Sequence, residues 1–226
     1  MFESPARVTL FAGHYGSGKT NIALAYARAL KHHSPVTIAD LDIVNPYFRT
    51  KDSKEVLSAE GIELVVSDFA NSNVDFPALP KELYSVFSDS ERRVVADIGG
   101  DDRGALALGR YAPDIIEHGD YEFLAVVNAS RPLTRTPEAT LDVLREIESS
   151  ASGLKFTGLV NNTNLGSETT AKDILSSREY AARTAALVGV PLKFTCCKKS
   201  LYSELKDQIE NLFPIDLQKL YYQLDG

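Results

Sequence analysis

The sequence predicts an α/β chain: a three-layer, doubly wound, mostly parallel sheet of about seven strands. Three observations carry that expectation. Short apolar, β-branched runs alternate regularly with stretches of helical periodicity. A glycine-rich stretch, Gly13-His14-Tyr15-Gly16-Ser17-Gly18-Lys19-Thr20, stands between the first apolar run and the first helical one. A later apolar run, Arg93-Val94-Val95-Ala96-Asp97-Ile98, ends in a carboxylate followed by Gly99-Gly100.

With 226 residues and no Gly/Ser/Pro-rich or charge-dense linker, one domain spanning 1–226 is expected. The formal net charge of -7 and a pI near 5.2 argue against nucleic acid and against an anionic membrane, neither of which an acidic surface attracts. Met1-Phe2-Glu3-Ser4 lacks the basic start and apolar core of a signal peptide. No apolar run approaches the roughly 20 residues needed to cross a bilayer, so a cytoplasmic location is expected. Two vicinal cysteines, Cys196 and Cys197, suit a reducing compartment and form no C-x-x-C pattern.

In chain order, Val8 to Ala12 reads as the first strand, and the helix after the glycines runs from about Lys19 to Lys31-His32-His33, whose cations suit a helix C-terminus. Pro35 to Ala39 is the next strand, with Asp40-Leu41-Asp42 just past its end, where open α/β sheets bind ligands. Ser53 to Glu60 reads as helix stopped by Gly61, Ile62 to Val66 as strand, Asp68 to Leu79 as loop, and Lys81 to Ser88 as helix. After the strand that ends at Asp97, Tyr121 to Asn128 is a strand. Pro137 to Ser149 is a helix with Thr136 as N-cap and Pro137 at its first position. Phe156 to Asn161 is a strand, Thr170 to Val188 one long helix stopped by Gly189, and Pro191 to Thr195 the last strand. Leu201 to Leu212 and Ile215 to Leu224 read as amphipathic helices that pack on the domain rather than on a membrane, since the polar side of the second is not strongly basic.

The glycine stretch fits G-x-x-x-x-G-K-[ST] in its required context of strand, loop and helix. Glycines let backbone N–H groups turn inward around phosphates, the helix start adds positive dipole, and Lys19 and Thr20 reach the terminal phosphates and Mg²⁺. The stretch ending in Asp97 complements it: a buried strand's terminal carboxylate can join the Mg²⁺ shell, and the glycines after it can bring an N–H close to a γ-phosphate.

Together these residues resemble the MinD/ParA/CobQ/CobB group of P-loop ATPases, over nearly the whole chain. In that group the loop reads G-K-G-G-x-G-K-[ST], a strand ending in D-x-D follows the first helix, and a later strand ends in D-x-x-G; Gly13 to Thr20, Asp40-Leu41-Asp42 and Asp97-Ile98-Gly99-Gly100 match in that order. The resemblance implies that Lys19 binds the β- and γ-phosphates, Thr20 ligates Mg²⁺, and Asp42 orients the attacking water. Asp40 and Asp97 stand in the outer shell of the metal, and Gly100 begins the segment that senses the γ-phosphate. The nucleotide-contacting set is then Gly13, His14, Tyr15, Gly16, Ser17, Gly18, Lys19, Thr20, Asn21, Gly100, Asn162 and Cys196. Asn162, or alternatively Asn161, matches an asparagine that reads the adenine edge. Thr195 to Lys198 matches a loop after the last strand whose backbone cradles the base. Because N-K-x-D, whose carboxylate accepts from guanine, is missing at 161–165, ATP is expected.

His14 and Tyr15 depart from the group's lysine and glycine at those places. A histidine near its unperturbed pKa of about 6.5 is only partly charged at neutral pH and is shorter, which weakens the group's route of phosphate neutralisation across a dimer. Arg49, Arg103, Arg131 and Arg135 are the candidate substitutes, and the sequence selects none. The expected function is an Mg²⁺-dependent, slow ATPase acting as a nucleotide switch or assembly factor for a protein partner, with an ATP-dependent homodimer. The alternatives are a biosynthetic ligase of the CobB or dethiobiotin synthase kind, and a module that holds ATP without turnover.

Overall fold

The computed structural model describes residues 5–42, 51–66, 81–100 and 108–216, with only the backbone considered for 51–53 and 81–82. Eight strands are found among them: β1 (Val8–Ala12), β2 (Val36–Leu41), β3 (Ile62–Val66), β4 (Arg93–Ile98), β5 (Tyr121–Val127), β6 (Gly158–Asn161), β7 (Leu192–Lys198) and β8 (Leu212–Ile215). The helices are α1 (Lys19–Leu30), α2 (Lys51–Ala59), α3 (Lys81–Ser88), α4 (Ala112–His118), α5 (Pro137–Ser150), α6 (Ala171–Ser176), α7 (Arg178–Val188) and α8 (Tyr202–Leu205).

All strand pairs are parallel, in the order β3-β2-β4-β1-β5-β6-β7-β8. Parallel strands need covered faces, and β1, β2 and β4 are correspondingly buried along nearly their whole length. Along β1 the side chains alternate between two cores. Val8, Leu10 and Ala12 join Leu83, Phe87, Ile115, Leu144 and Ala185 beneath α3, α4, α5 and α7. Phe11 turns to the opposite face, where Ile22, Leu30 and Leu57 of α1 and α2 cover it. The sheet therefore has helices on both faces, and the order of strands reverses at β1, which lies between β4 and β5.

The α/β, doubly wound architecture matches the sequence expectation, with corrections of detail. The sheet has eight strands, not about seven, because Leu201 to Leu212 is not one helix. It forms the single turn α8, and Asn211, with φ 54°, then redirects the chain into β8. Leu205, Ile209 and Leu212 carry the helical spacing that suggested a helix, and all three are buried in a small cluster with Cys197 and Ile174. Phe213 and Ile215 face the other way, onto α1. Pro214, which has no N–H to donate, is tolerated because β8 is an edge strand. A helix cannot begin at Ile215, which is in the strand; 217–224 lie outside the described residues, as does the expected loop at 68–79.

Thr170 to Val188 is likewise two helices, separated at Ser177, whose hydroxyl donates to the Ile174 carbonyl at 2.7 Å and accepts from Asn161 Nδ2 at 2.9 Å. The last helical strand neighbour, β7, continues through Cys196 and Cys197 to Lys198, so these cysteines are strand and not loop. Helix α4 has no counterpart in the sequence expectation.

The aromatic rings of Tyr26, Phe194 and Phe213 meet within 5.4–6.4 Å and tie α1 to β7 and β8. Phe213→Ala is expected to lower the unfolding free energy by about 3 kcal/mol in equilibrium urea denaturation. Tyr202→Ala, on the partly exposed α8, should change it by less than about 0.5 kcal/mol. Equal stabilities for the two variants would remove β8 from the core.

Candidate functional site

The reversal of strand order leaves a crevice beyond the carboxyl end of β1, and the chain crosses it through Gly13 to Gly18 into α1. Gly18 starts that helix at φ 91°, and a Cβ on it would stand 2.3 Å from Asn162 Nδ2, so no other residue fits. The Ser17 N–H donates to the His14 carbonyl at 3.1 Å, closing the loop. Lys19 is only 4% exposed; its ammonium curls back over the loop, 3.5 Å from the His14 carbonyl. Asn21 follows in the first turn of α1.

Thr20 Oγ1 donates to Asp97 Oδ2 at 2.6 Å. Register places Asp97 beside Phe11 of β1 on one side and Asp40 of β2 on the other. Asp40 is the penultimate residue of β2 rather than a residue past its end, and its Oδ1 accepts the Asp42 N–H at 3.0 Å. Asp40, Asp42 and Asp97 are all buried. Burial pushes the Asp97 carboxyl up to about 6 and the Asp42 charge adds to the rise, against the Lys19 cation and the Thr20 hydrogen bond.

Asp97 Oδ1 is buried and has no hydrogen-bond partner among the described residues. Such an oxygen beside a threonine hydroxyl suits Mg²⁺, which takes one or two protein ligands and completes its shell with waters and phosphate oxygens. No group of three His, Cys, Asp or Glu side chains placed to hold a metal by themselves occurs among the described residues. Thr20 and Asp97 would hold the ion, with Asp40 and Asp42 around them.

Gly100 packs against the loop so closely that a Cβ would come 2.7 Å from both the Gly13 carbonyl oxygen and the Tyr15 nitrogen. The opposite flank is held by asparagines. Asn162 Nδ2 donates to the Ser17 carbonyl at 2.7 Å, Asn164 Nδ2 to the Asn162 carbonyl at 2.6 Å, and Asn128 Oδ1 accepts the Asn164 N–H at 3.2 Å. Asn162 thus grips the loop through its carboxamide. Asn161 points away, to Ser177 and Thr163. Asn128 was not among the expected site residues; its only signal is a buried polar residue directly after the apolar end of β5.

His14 is half-buried, and burial together with the Lys19 charge lowers its pKa, which favours the uncharged imidazole. Tyr15 is 67% exposed on the rim. Of the four arginines, Arg131 reaches the loop, with Nε 2.8 Å from the Gly16 carbonyl; Arg135 is exposed, and Arg49 and Arg103 lie outside the described residues. The Cys196 side chain lies in the apolar core with Tyr26 and Phe213, and Cys197 in the cluster on the other face. Burial pushes the Cys197 thiol up to about 11 and raises that of Cys196 as well. Consecutive strand residues point apart, so neither a shared metal nor redox chemistry suits the pair.

No protein-family model matches this sequence, and no curated protein matches it. Solved structures do share the fold. FtsY from Mycoplasma mycoides is 15% identical with a TM-score of 0.55, over 85% of this chain and 60% of that one. FtsY from Thermotoga maritima is 16% identical with a TM-score of 0.54, over 88% and 64%. The Signal Recognition Particle 54 kDa protein from Aeropyrum pernix, solved in complex with GDP, is 19% identical with a TM-score of 0.56, over 86% and 42%. This chain shares the doubly wound α/β fold of these structures. It spans less than two thirds of the length of each of these neighbours.

The raised pKa of Asp97 has a stability consequence. Between about pH 4 and pH 6 the folded state holds a proton that the unfolded state releases, so the contribution is full below about pH 4 and lost as pH rises through 6. In ligand-free protein, Asp97→Asn should therefore be stabilising at pH 8, by at most about 3 kcal/mol. The gain over wild type should shrink as pH falls below 6. Thermal midpoints of both proteins across pH 4.5–8 check this, and a gap independent of pH would contradict the ionised, buried carboxylate.

Proposed function

We propose that the chain is an Mg²⁺-dependent ATP-binding protein of the MinD/ParA/CobQ/CobB kind, hydrolysing ATP slowly and acting as a nucleotide-dependent switch or assembly factor for a protein partner. The observation that carries this is the convergence of Lys19, Thr20 and Asp97 on the glycine loop, with Gly100 packed against it. The backbone N–H groups at the start of α1 would cradle the phosphates, and Lys19, on leaving the His14 carbonyl, would reach them. Mg²⁺, when bound, supplies charge neutralisation at the phosphates. Asp42, at the carboxyl end of β2, would hold the attacking water, and positioning with electrostatic stabilisation accounts for the chemistry. Gly100 would report the γ-phosphate to the segment that follows.

Adenine is favoured over guanine by the neutral side chains at 161–164, since guanine's two donors call for a carboxylate. The GDP in the Aeropyrum pernix neighbour makes guanine the competitor to test. An ATP-dependent homodimer belongs to the same proposal, as does a cytoplasmic location. No helix among the described residues is long and apolar enough to cross a membrane.

Titration with mant-ATP in the presence of Mg²⁺ should show saturable binding that unlabelled ATP displaces better than GTP. Lys19→Ala should weaken it roughly 100-fold or more, about 2.8 kcal/mol. Unchanged affinity in that variant would sink the phosphate assignment, preferential displacement by GTP would sink adenine, and light scattering that finds a monomer at every ATP concentration would sink the homodimer.

A further inference from the structure

The candidate site is short of positive charge. Three buried carboxylates, Asp40, Asp42 and Asp97, surround a loop shaped for a polyanionic phosphate chain, against the single ammonium of Lys19. Burial and the Lys19 charge lower the His14 pKa and so favour its uncharged form. Besides Lys19 and the charge that Mg²⁺ would bring, a permanent cation among the described residues is built against the loop.

Arg131 lies in the turn between β5 and α5. Its Nε–H donates to the Gly16 carbonyl at 2.8 Å. Gly16 has φ 75°, and the guanidinium packs closely on it: a Cβ there would stand 3.3 Å from Nε and 3.6 Å from the guanidinium carbon. The turn that carries Arg131 is rigidly made. Asn128 Oδ1 accepts the Ser130 N–H at 2.9 Å, the Asn128 carbonyl accepts the Arg131 N–H at 3.2 Å and the Thr134 hydroxyl at 2.7 Å, and Thr140 Oγ1 donates to the Thr134 carbonyl at 3.2 Å. Asn128 also holds Asn164, so the same residue fixes the arginine turn and the asparagine flank.

Only one edge of the guanidinium is used in this way. The terminal nitrogens make no hydrogen bond or ion pair among the described residues, and the side chain is partly exposed at the mouth of the loop. A planar fork anchored at one nitrogen and open at the other two is preorganised for phosphate oxygens.

We infer that Arg131 is a phosphate-binding residue acting within the same chain, anchored on Gly16 and presenting its terminal N–H groups to the terminal phosphate of a bound nucleoside triphosphate. The inference rests on nucleotide binding as proposed above but adds a discrimination to it: Arg131 favours triphosphate over diphosphate. A residue that merely braced the loop would serve both alike.

The test uses mant-ATP and mant-ADP, with mant-GTP and mant-GDP in parallel, titrated into wild type, Arg131→Ala, Arg131→Lys and Arg135→Ala in the presence of Mg²⁺, after thermal melts have shown each variant folded. Arg131→Ala should weaken triphosphate binding about tenfold or more while changing diphosphate binding less than about threefold. Arg131→Lys should recover part of the loss, and Arg135→Ala should bind as wild type. Equal losses for triphosphate and diphosphate would reduce Arg131 to a brace, and unchanged binding of both would overturn the inference, in either case with nucleotide binding intact. Wild-type protein that binds none of the four nucleotides would overturn the functional proposal itself, and this one with it.

Discussion

The hydrogen bond from Thr20 to Asp97 joins the start of α1 to the end of β4, and the carboxylate that receives it is 1% exposed. Burying an ionisable group that deeply is unfavourable, as its raised pKa records, and it is sustained only where the surroundings are fixed. The sheet provides that fixity. Because β1 separates β4 from β5, the loop leaving β1 has β4 on one flank and the β5 and β6 turns on the other. Asp97 is locked in register with both Phe11 and Asp40. Moving β4 by one residue would turn Asp97 to the other face of the sheet and strip Thr20 of its acceptor.

The other flank is held by neutral groups. Asn162 takes the Ser17 carbonyl, Asn164 takes the Asn162 carbonyl, and Asn128 ties that turn to β5. Each carboxamide satisfies a backbone group that would otherwise be buried without a partner, so the glycines of the loop are not free to collapse. The loop is thus shaped by its neighbours before any ligand arrives, the condition for electrostatic stabilisation without reorganisation.

The fold class and the glycine loop between β1 and α1 were legible in the sequence because both are local signals: apolar runs of strand length, and a glycine pattern set between a strand and a helix. What was not legible depends on contacts between distant residues or on competing periodicities. Leu205, Ile209 and Leu212 are spaced as a helix, and nothing in that spacing reveals that Phe213 and Ile215 complete a strand against Tyr26 of α1. Ser177 breaks a helix with its own hydroxyl, without a glycine or proline to mark the place. Cysteines are neutral between strand and loop, so β7 was ended three residues early. Asn162 was noticed, but its grip on Ser17, 145 positions away, leaves no local trace.

That grip also sets the hydrogen-bonding chemistry of the flank beside the loop. Guanine offers two adjacent donors, which a carboxylate accepts from together; a carboxamide offers one acceptor and one donor. Asn164, the partly exposed member of the set, has its oxygen engaged by the Gly166 N–H at 3.2 Å and one amide hydrogen by the Asn162 carbonyl. Its acceptor is therefore already partly occupied by the protein, and its remaining amide hydrogen points its chemistry toward donation. Guanine's two adjacent donors would find no carboxylate among the side chains at 161–164. The flank that keeps the glycine loop in shape thus offers single amide groups in place of the paired acceptors of a carboxylate.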